Sequence, residues 1–271
     1  MSADVAPPIG ELAGRSLGTR VARYDDRDAI LYALAVGAGA DDLDLVYERD
    51  LTVLPTFALT LGLWAVQAAG GLGAYDANRT LHVGQQLAID RALPPQGEVE
   101  MSARIDAVYD KGRAALLDIV VESEAFRAVY TIYAPGAGGF GGPRGDNASD
   151  PFPAREPDLR TRVATDEDQA VLYRLTGDRH PLHVDPEAAV AFGLERPILH
   201  GLCTLGAVAL SVTRALERPP ASLAELAVRF SSPVPPGAVI DVSCWREPAD
   251  VRFIAAVGDT EALSAGRLRL P

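Results

Sequence analysis

The sequence predicts an α+β protein of two similar domains, each with an antiparallel sheet wrapped around one apolar helix. Two observations carry this prediction: a co-linear internal repeat with an offset of about 140 residues, and alternating apolar segments that end at turn residues. Residues 135–158 are dense in Gly and Pro, as is typical of a linker. The predicted domains are therefore residues 1–134 and 159–271.

Three pairs of segments carry the repeat, in the same order in both halves. "DAILYALAVGAG" matches "QAVLYRLTGDRH", "PTFALTLGLWAV" matches "PILHGLCTLGAV", and "LAIDRALPPQGEVEMSARI" matches "LAVRFSSPVPPGAVIDVSCW". The middle pair aligns Thr60-Leu61-Gly62 with Thr204-Leu205-Gly206. Co-linear matches of this kind indicate duplication of one fold.

Each half is predicted to contain a helix, a loop, a second apolar helix and then four strands. In the C-terminal half we expect Thr165 to cap the first helix, with Asp166, Glu167 and Asp168 in its first turn, where carboxylates suit the helix dipole. The second helix, "HGLCTLGAVALSVTRAL", is apolar on most sides, which predicts burial. The predicted strands are "TLHVGQQLAIDRAL", "EVEMSARIDAVYD", "RAALLDIVVESE", "AFRAVYTIYA", "AELAVRFSSPV", "AVIDVSCWRE", "DVRFIAAVG" and "EALSAGRLRL".

Composition excludes several classes of function. A net charge of −12 and a pI near 4.8 disfavour binding to nucleic acid or anionic lipid. Cys203 and Cys244 form no C-x-x-C pair, which favours a reducing compartment. The first residues lack the pattern of a signal peptide, and the longest apolar stretch is interrupted by Pro55, Gly62 and Gly70. We therefore expect a cytoplasmic protein without membrane insertion.

The segment "YRLTGDRHPLHVDP" concentrates polar chemistry in one loop. Asp178, His180 and His183 lie within six positions of a chain that has four histidines. In the other half of the repeat, Gly37 stands opposite Asp178, and "GAGADD" stands where this half has "DRHPLH". A duplicated fold with polar groups at one of two equivalent loops indicates a single active half.

The loop has three possible interpretations: a structural turn, a metal site or an acid–base pair. Gly-Asp and His-Pro are ordinary turn formers, so a solvated structural loop stays open. A metal site of Asp178, His180 and His183 is disfavoured because the first two are too close, with a proline following, so we expect no metal. An acid–base pair fits better, because Gly201 begins the buried helix and its free N–H could stabilise an oxyanion.

The longer segment "YRLTGDRHPLHVDPEAAVAFGLERPILHGLCTLG" resembles the signature of MaoC-like, R-specific enoyl-CoA hydratases (hydratase 2), whose usual loop is G-D-x-N-P-L-H. "LHVGQQLAI", "DKG" and "GGFGG" resemble the hydratase 2 unit of peroxisomal multifunctional enzymes. The resemblance covers nearly the whole chain. It implies a double hot-dog fold with a vestigial N-terminal domain that makes room for bulky acyl chains, and a catalytic C-terminal domain.

Carried over residue by residue, the resemblance implies that Asp178 and His183 are the catalytic pair and that Gly201 is the oxyanion-hole glycine. His180 replaces the usual asparagine and is expected to be auxiliary, by donating a hydrogen bond. His200 is expected to pack at the helix entry. The positions implied to contact substrate or CoA are His82, Val83 (in place of a glycine), Lys111, Arg179, Pro181, Leu182 and Phe230.

The activity that the resemblance implies is reversible hydration of trans-2-enoyl-CoA to (3R)-3-hydroxyacyl-CoA. The CoA thioester is the substrate, no further cofactor is expected, and the chain is expected to form a homodimer. Because His180 departs from the family pattern, a non-catalytic acyl-CoA-binding protein is the first alternative. An acyl-CoA thioesterase on the same fold is the second.

Overall fold

The computed structural model describes residues 6–145 and 152–270, and within them the chain forms one ten-stranded antiparallel sheet. The strands are β1 (Ser16–Tyr24), β2 (Leu81–Ile89), β3 (Gly97–Asp110), β4 (Ala114–Glu122), β5 (Phe126–Pro135), β6 (Leu159–Ala164), β7 (Glu225–Phe230), β8 (Val239–Arg246), β9 (Val251–Val257) and β10 (Thr260–Arg269). The α-helices are α1 (Asp26–Ala35), α2 (Leu43–Val46), α3 (Ala58–Gly62), α4 (Trp64–Gly70), α5 (Gln169–Tyr173), α6 (Pro186–Ala191) and α7 (Gly201–Ala215).

The strand order shows the duplication directly. It runs β1-β3-β4-β5-β2 through the first half and β7-β10-β9-β8-β6 through the second. Read from its own edge, the second half has the same order, because β6, β8, β9, β10 and β7 correspond to β1, β3, β4, β5 and β2. The internal repeat predicted from the sequence is therefore a repeat of topology.

The two halves join through the antiparallel pair of β2 and β7. Leu87 pairs with Leu226, and these two residues also match each other in the sequence repeat. When a residue faces its own counterpart across an antiparallel pair, the pair lies on a two-fold axis. The chain thus folds as a pseudo-dimer whose halves share backbone hydrogen bonds.

The central helix is continuous in one half and broken in the other. The helix α7 is 15 residues long, mostly buried, and packs against β6 and β8. Its counterpart is split into α3 and α4 around Leu63, because the Tyr130 hydroxyl donates to the Leu59 carbonyl at 2.7 Å. The Leu63 N–H, which would reach that carbonyl in a regular helix, bonds Thr60 instead.

Three details differ from the sequence prediction. β1 and β6 were not predicted, because both are edge strands with many exposed positions and so lack a clear apolar face. The prediction of Thr165 as a helix cap is wrong, because its hydroxyl donates to the Ala238 carbonyl at 2.7 Å and α5 begins only at Gln169.

No helix of the described residues is long and apolar enough to cross a membrane.

The first part of the predicted linker, residues 135–145, is held against the β3–β4 hairpin. The Asp110 carboxylate accepts backbone N–H groups from Gly112, Gly139 and Gly141 at 2.8, 2.9 and 2.7 Å. These hydrogen bonds lower the pKa of Asp110 below its usual range. Residues 146–151 of the linker lie outside the described residues, and the domain boundaries at 134 and 159 remain predictions.

Asp110→Asn should lower the melting temperature at neutral pH, because an amide cannot accept all of these N–H donors. Because the carboxyl pKa is lower in the folded state than in the unfolded chain, ionised Asp110 stabilises the fold. This stabilisation is fully present above the pKa of an unfolded Asp, about 3.9, and it is lost as the pH falls through the folded-state pKa. The difference between wild type and variant should therefore shrink in acidic buffer. Thermal unfolding across pH measures it, with exposed Asp259→Asn as control. A difference in melting temperature between wild type and Asp110→Asn that does not change with pH would contradict a stabilising role of the Asp110 carboxylate.

Candidate active site

The polar loop begins where a glycine ends the helix before it. The turn after α5 stops at Gly177, whose φ of +141° lies in the region that favours glycine. Asp178 follows, and its Oδ1 accepts the backbone N–H of His180 at 3.1 Å. A single 3-10 turn, Pro181–His183, then directs the His183 ring back toward Asp178.

The tautomer of His183 is set by the backbone. Its Nδ1 lies 2.8 Å from the carbonyl of Ile198, which can only accept, so Nδ1 carries the proton. The other ring nitrogen, Nε2, is left with its lone pair. The arrangement therefore presents a basic nitrogen, oriented by a carbonyl, beside a carboxylate.

His200 packs at the entry to α7, as expected from the sequence, and it also contacts Asp178 and His183. Its side chain is 1% exposed, and its ring stacks on His183 with 3.6 Å between centroids and 25° between planes. Its Nε2 donates to the backbone carbonyl of Asp178 at 3.1 Å. Its position directly before Gly201 was visible in the sequence, but its contacts with Asp178 and His183 were not.

Gly201 is the first residue of α7, so its N–H points out of the helix without an intrahelical partner. A Cβ at this position would lie 3.1 Å from the ring of Phe230, which shows how closely that ring covers the helix end. Phe230 in turn packs against His82, with ring centroids 4.8 Å apart. Gly201, Phe230 and His82 therefore line one continuous surface with contributions from both halves.

Burial keeps His82, His183 and His200 neutral. It lowers the pKa of His82 to about 4 and that of His200 to about 3, and it also lowers the pKa of His183. The negative charge of Asp178 raises the pKa of all three rings and so partly opposes the effect of burial. His82 donates from Nε2 to the Gly84 carbonyl at 2.9 Å.

His180 accepts a hydrogen bond in the structure, whereas the sequence led us to expect a donor. Its Nδ1 receives the N–H of Leu182 at 3.2 Å and so caps the 3-10 turn, while its ring packs edge-on against Phe192. Arg179 and Pro181 flank it and are exposed. Val83, half-buried, lies at the irregularity of β2 between His82 and Gly84.

Lys111 lies apart from the cluster. It is in the β3–β4 turn, where its Nζ donates to the Arg144 carbonyl and lies 5.9 Å from the centre of the Tyr109 ring. β5 and β4 separate β3 from β2, which is three strand spacings or about 14 Å across the sheet. His82 is level with Val108, so Lys111 lies three residues or about 10 Å further along the strand direction. Only a long ligand could contact both.

Asp178, His183 and His200 each offer a ligand atom, all within 4.8 Å of one another. An imidazole binds a metal about 2 Å away through a lone pair in the ring plane. Two rings stacked 3.6 Å apart direct those lone pairs side by side and not at one point. His180, the ligand considered from the sequence, contributes nothing to this set because it packs on Phe192.

Comparison with known proteins identifies the family. The family model for the MaoC like domain matches residues 149–264, and that for the MFE-2 hydratase 2 N-terminal domain matches residues 23–131. An enoyl-CoA hydratase of Mycobacterium tuberculosis is 37% identical over 250 residues, 86% of this chain and 87% of that protein. This chain belongs to the MaoC-like hydratase 2 family. Several further relatives are described as peroxisomal.

Solved structures agree with the fold of this hydratase 2 family member. A MaoC-like dehydratase from Phytophthora capsici superposes with a TM-score of 0.87 at 27% identity, covering 97% of both chains. A Mycobacterium tuberculosis protein described as a double hot-dog fold superposes with a TM-score of 0.56 at 13% identity, over 98% of both chains, and supports the fold alone. The double hot-dog fold predicted from the sequence is confirmed.

His180→Ala should destabilise the protein more than His180→Asn. Alanine removes the acceptor for the Leu182 N–H, and losing such a cap costs about 0.5–2 kcal/mol, whereas an asparagine oxygen can replace the ring nitrogen. Urea unfolding measures both variants, and Arg179→Ala serves as the exposed control. Equal free energies of unfolding for the two His180 variants would exclude the capping role.

Proposed function

We propose that this chain is a hydratase 2 that reversibly hydrates trans-2-enoyl-CoA to (3R)-3-hydroxyacyl-CoA. The observation that carries the proposal is the pair of Asp178 and His183, with a neutral imidazole held by Ile198 beside the N-terminus of α7. The relatives with enoyl-CoA hydratase in their names support the same reaction.

The pair supplies the proton transfers. In the proposed reaction, oxygen of water bonds to C3 of the enoyl group as the C2–C3 π electrons move toward the carbonyl. Asp178 and His183 take one proton from that water and return one to C2, so that the pair ends in its initial protonation state. A neutral His183 with its lone pair on Nε2 is ready to accept a proton at neutral pH.

The helix end stabilises the charge that develops on the thioester. As the π electrons shift, the carbonyl oxygen gains enolate character and needs a hydrogen-bond donor. The Gly201 N–H supplies one, and the dipole of the 15-residue α7 adds partial positive charge at the same point. The missing side chain of Gly201 leaves room for that oxygen beside Phe230.

The substrate thioester would lie between the halves. Phe230 on β7 and His82 on β2 line the surface next to Gly201. Arg179, Pro181 and Leu182 would contact the substrate from the loop between Asp178 and His183. Lys111 would meet the anionic CoA moiety toward the end of the sheet, about 17 Å from His82 by strand geometry. Val83 occupies a bulge beside His82, and its side chain would narrow the entry relative to a glycine.

Catalysis is proposed to need no metal and no cofactor besides the substrate's CoA. The stacked rings of His183 and His200 cannot both direct a lone pair at one ion, and their protonated nitrogens already bond to carbonyls. Dialysis against a chelator should therefore leave the rate unchanged. Recovery of a lost rate by Zn²⁺ would contradict this part of the proposal.

Asp178→Asn and His183→Gln should each lower kcat for hydration of crotonyl-CoA or a longer enoyl-CoA by about 10²–10⁴-fold, the usual contribution of a general acid–base group. Loss of enoyl absorbance measures the rate, and thermal unfolding shows whether each variant is folded. Phe152→Leu, on the far side of the C-terminal half against Trp245, is the matched control and should retain the rate.

Three outcomes would overturn the proposal. A wild-type protein that binds enoyl-CoA without turnover would be an acyl-CoA-binding protein. Release of free thiol from acyl-CoA would identify a thioesterase. Near-full activity of either Asp178→Asn or His183→Gln would show that the loop does not perform the chemistry.

We further propose that two chains form a homodimer in the cytoplasm. β1 and β6 are the two edges of the sheet, and Cys203 and Cys244 are buried free thiols, as expected in a reducing compartment. Light scattering at micromolar concentration should give twice the chain mass of 28.6 kDa. A monomer mass alone would refute the homodimer.

A further inference from the structure

His200 is a buried side chain that touches both Asp178 and His183. Its Nε2–H reaches the backbone carbonyl of Asp178, and its ring covers one face of His183. It also directly precedes Gly201 at the N-terminus of α7. His200 therefore contacts the backbone of Asp178 and the ring of His183, and it is the residue directly before Gly201.

The repeat shows that packing alone does not require a histidine here. Aligning Thr60-Leu61-Gly62 with Thr204-Leu205-Gly206 places Thr56 opposite His200. Both positions are buried, and both lie beside a buried tyrosine, since Thr56 hydrogen-bonds Tyr32 and the His200 ring packs on Tyr173 at 4.8 Å. The half without the polar loop fills this position with a small hydroxyl. Only the half that carries Asp178 and His183 has an imidazole at this position.

The polar atoms of His200 are costly for a residue that only packs. Its Nε2 is hydrogen-bonded, but its Nδ1 is buried and has no hydrogen-bond partner among the described residues. A buried acceptor that lacks a partner is destabilising, so a position that only needed to be filled would favour a side chain without that acceptor.

The stack also keeps water from one face of the His183 ring. Because burial disfavours the charged imidazole, the His200 ring helps to keep His183 neutral until it takes up a proton.

We propose that His200 is a positioning residue, which holds the Asp178 backbone and the His183 ring in register with Gly201 for proton transfer. The role rests on the proposed hydration reaction. It predicts that His200 acts on kcat and on the titration of His183, and leaves substrate affinity nearly unchanged.

Two variants separate the two contacts. His200→Phe keeps a ring over His183 but loses the hydrogen bond to the Asp178 carbonyl, whereas His200→Gln can keep the donor and loses the stack. Each should lower kcat at least about tenfold with little change in KM, since a misplacement of about 1 Å can cost about 10²-fold. Thr56→Val, at the equivalent position of the other half, is the control. It should change the melting temperature without lowering kcat.

Histidine NMR provides a readout that does not need turnover. The chain has four histidines, and all of them lie in this cluster, so selectively labelled protein reports only on the site. The groups that face His183 are Asp178, His180 and His200, with His82 and Arg174 beyond them. Removing the ring in His200→Gln should admit water and raise the pKa of His183 toward 6.5, whereas His200→Phe should leave it low.

The outcomes decide between positioning and packing. If both His200 variants keep the wild-type kcat and only melt earlier, or if Thr56→Val lowers kcat equally, His200 is a packing residue and the proposal is wrong. If the wild type shows no hydration, the proposed function fails, and the His183 titration still tests His200. An unchanged His183 pKa in His200→Gln would then overturn the proposal independently.

Discussion

The pairing of β2 with β7 is the interaction on which the site depends. Each half contributes one of these strands, and the Leu87–Leu226 pair fixes their register. That register brings His82, on β2, and Phe230, on β7, into contact beside Gly201. A slip of one residue between the two strands would place these rings on opposite faces of the sheet, because side chains alternate along a strand. The surface next to the catalytic pair therefore exists only while the halves are joined.

The two halves of the duplication have diverged in complementary ways. In the N-terminal half, Tyr130 bonds the Leu59 carbonyl and breaks the central helix. In the C-terminal half the helix runs unbroken from Gly201, and an unbroken helix has the stronger dipole and the better-defined N-terminus. The two halves therefore differ in the continuity of the central helix as well as in the loop, where Gly37 stands opposite Asp178.

Sequence patterns predicted the features that depend on local or periodic signals. The apolar run of α7, the alternation of the inner strands and the repeat were all visible, and the loop around Asp178 and His183 drew attention because histidine is rare in this chain. The edge strands β1 and β6 were missed because exposed strands carry little apolar periodicity. Thr165 was misassigned because a hydroxyl before an acidic turn resembles a cap, while a distant carbonyl, that of Ala238, was its partner.

The contacts of His200 could not be predicted from the sequence, for a more general reason. A single histidine at the start of an apolar helix has no periodic partner, so sequence alone favours packing. Its contacts are with a carbonyl at position 178 and a ring at 183, both distant in sequence, and only the fold brings them together. The repeat did contain a usable signal, since Thr56 replaces the imidazole in the half that lacks the loop. Comparison of the halves, position by position, could have found it.

The charge distribution of the site explains how an acidic protein keeps reactive bases. Burial disfavours the protonated form of His82, His183 and His200, and this outweighs the attraction of the single carboxylate, Asp178. The rings therefore rest in the neutral form, while the carboxylate stands ready to stabilise whichever ring gains a proton. Were the carboxylate replaced by an amide, the protonated state of His183 would lose its nearest opposite charge. Were the rings exposed, they would carry part of that charge before the substrate arrived. Burial thus favours neutral His183, and the nearby carboxylate favours the protonated ring, so neither form is strongly excluded.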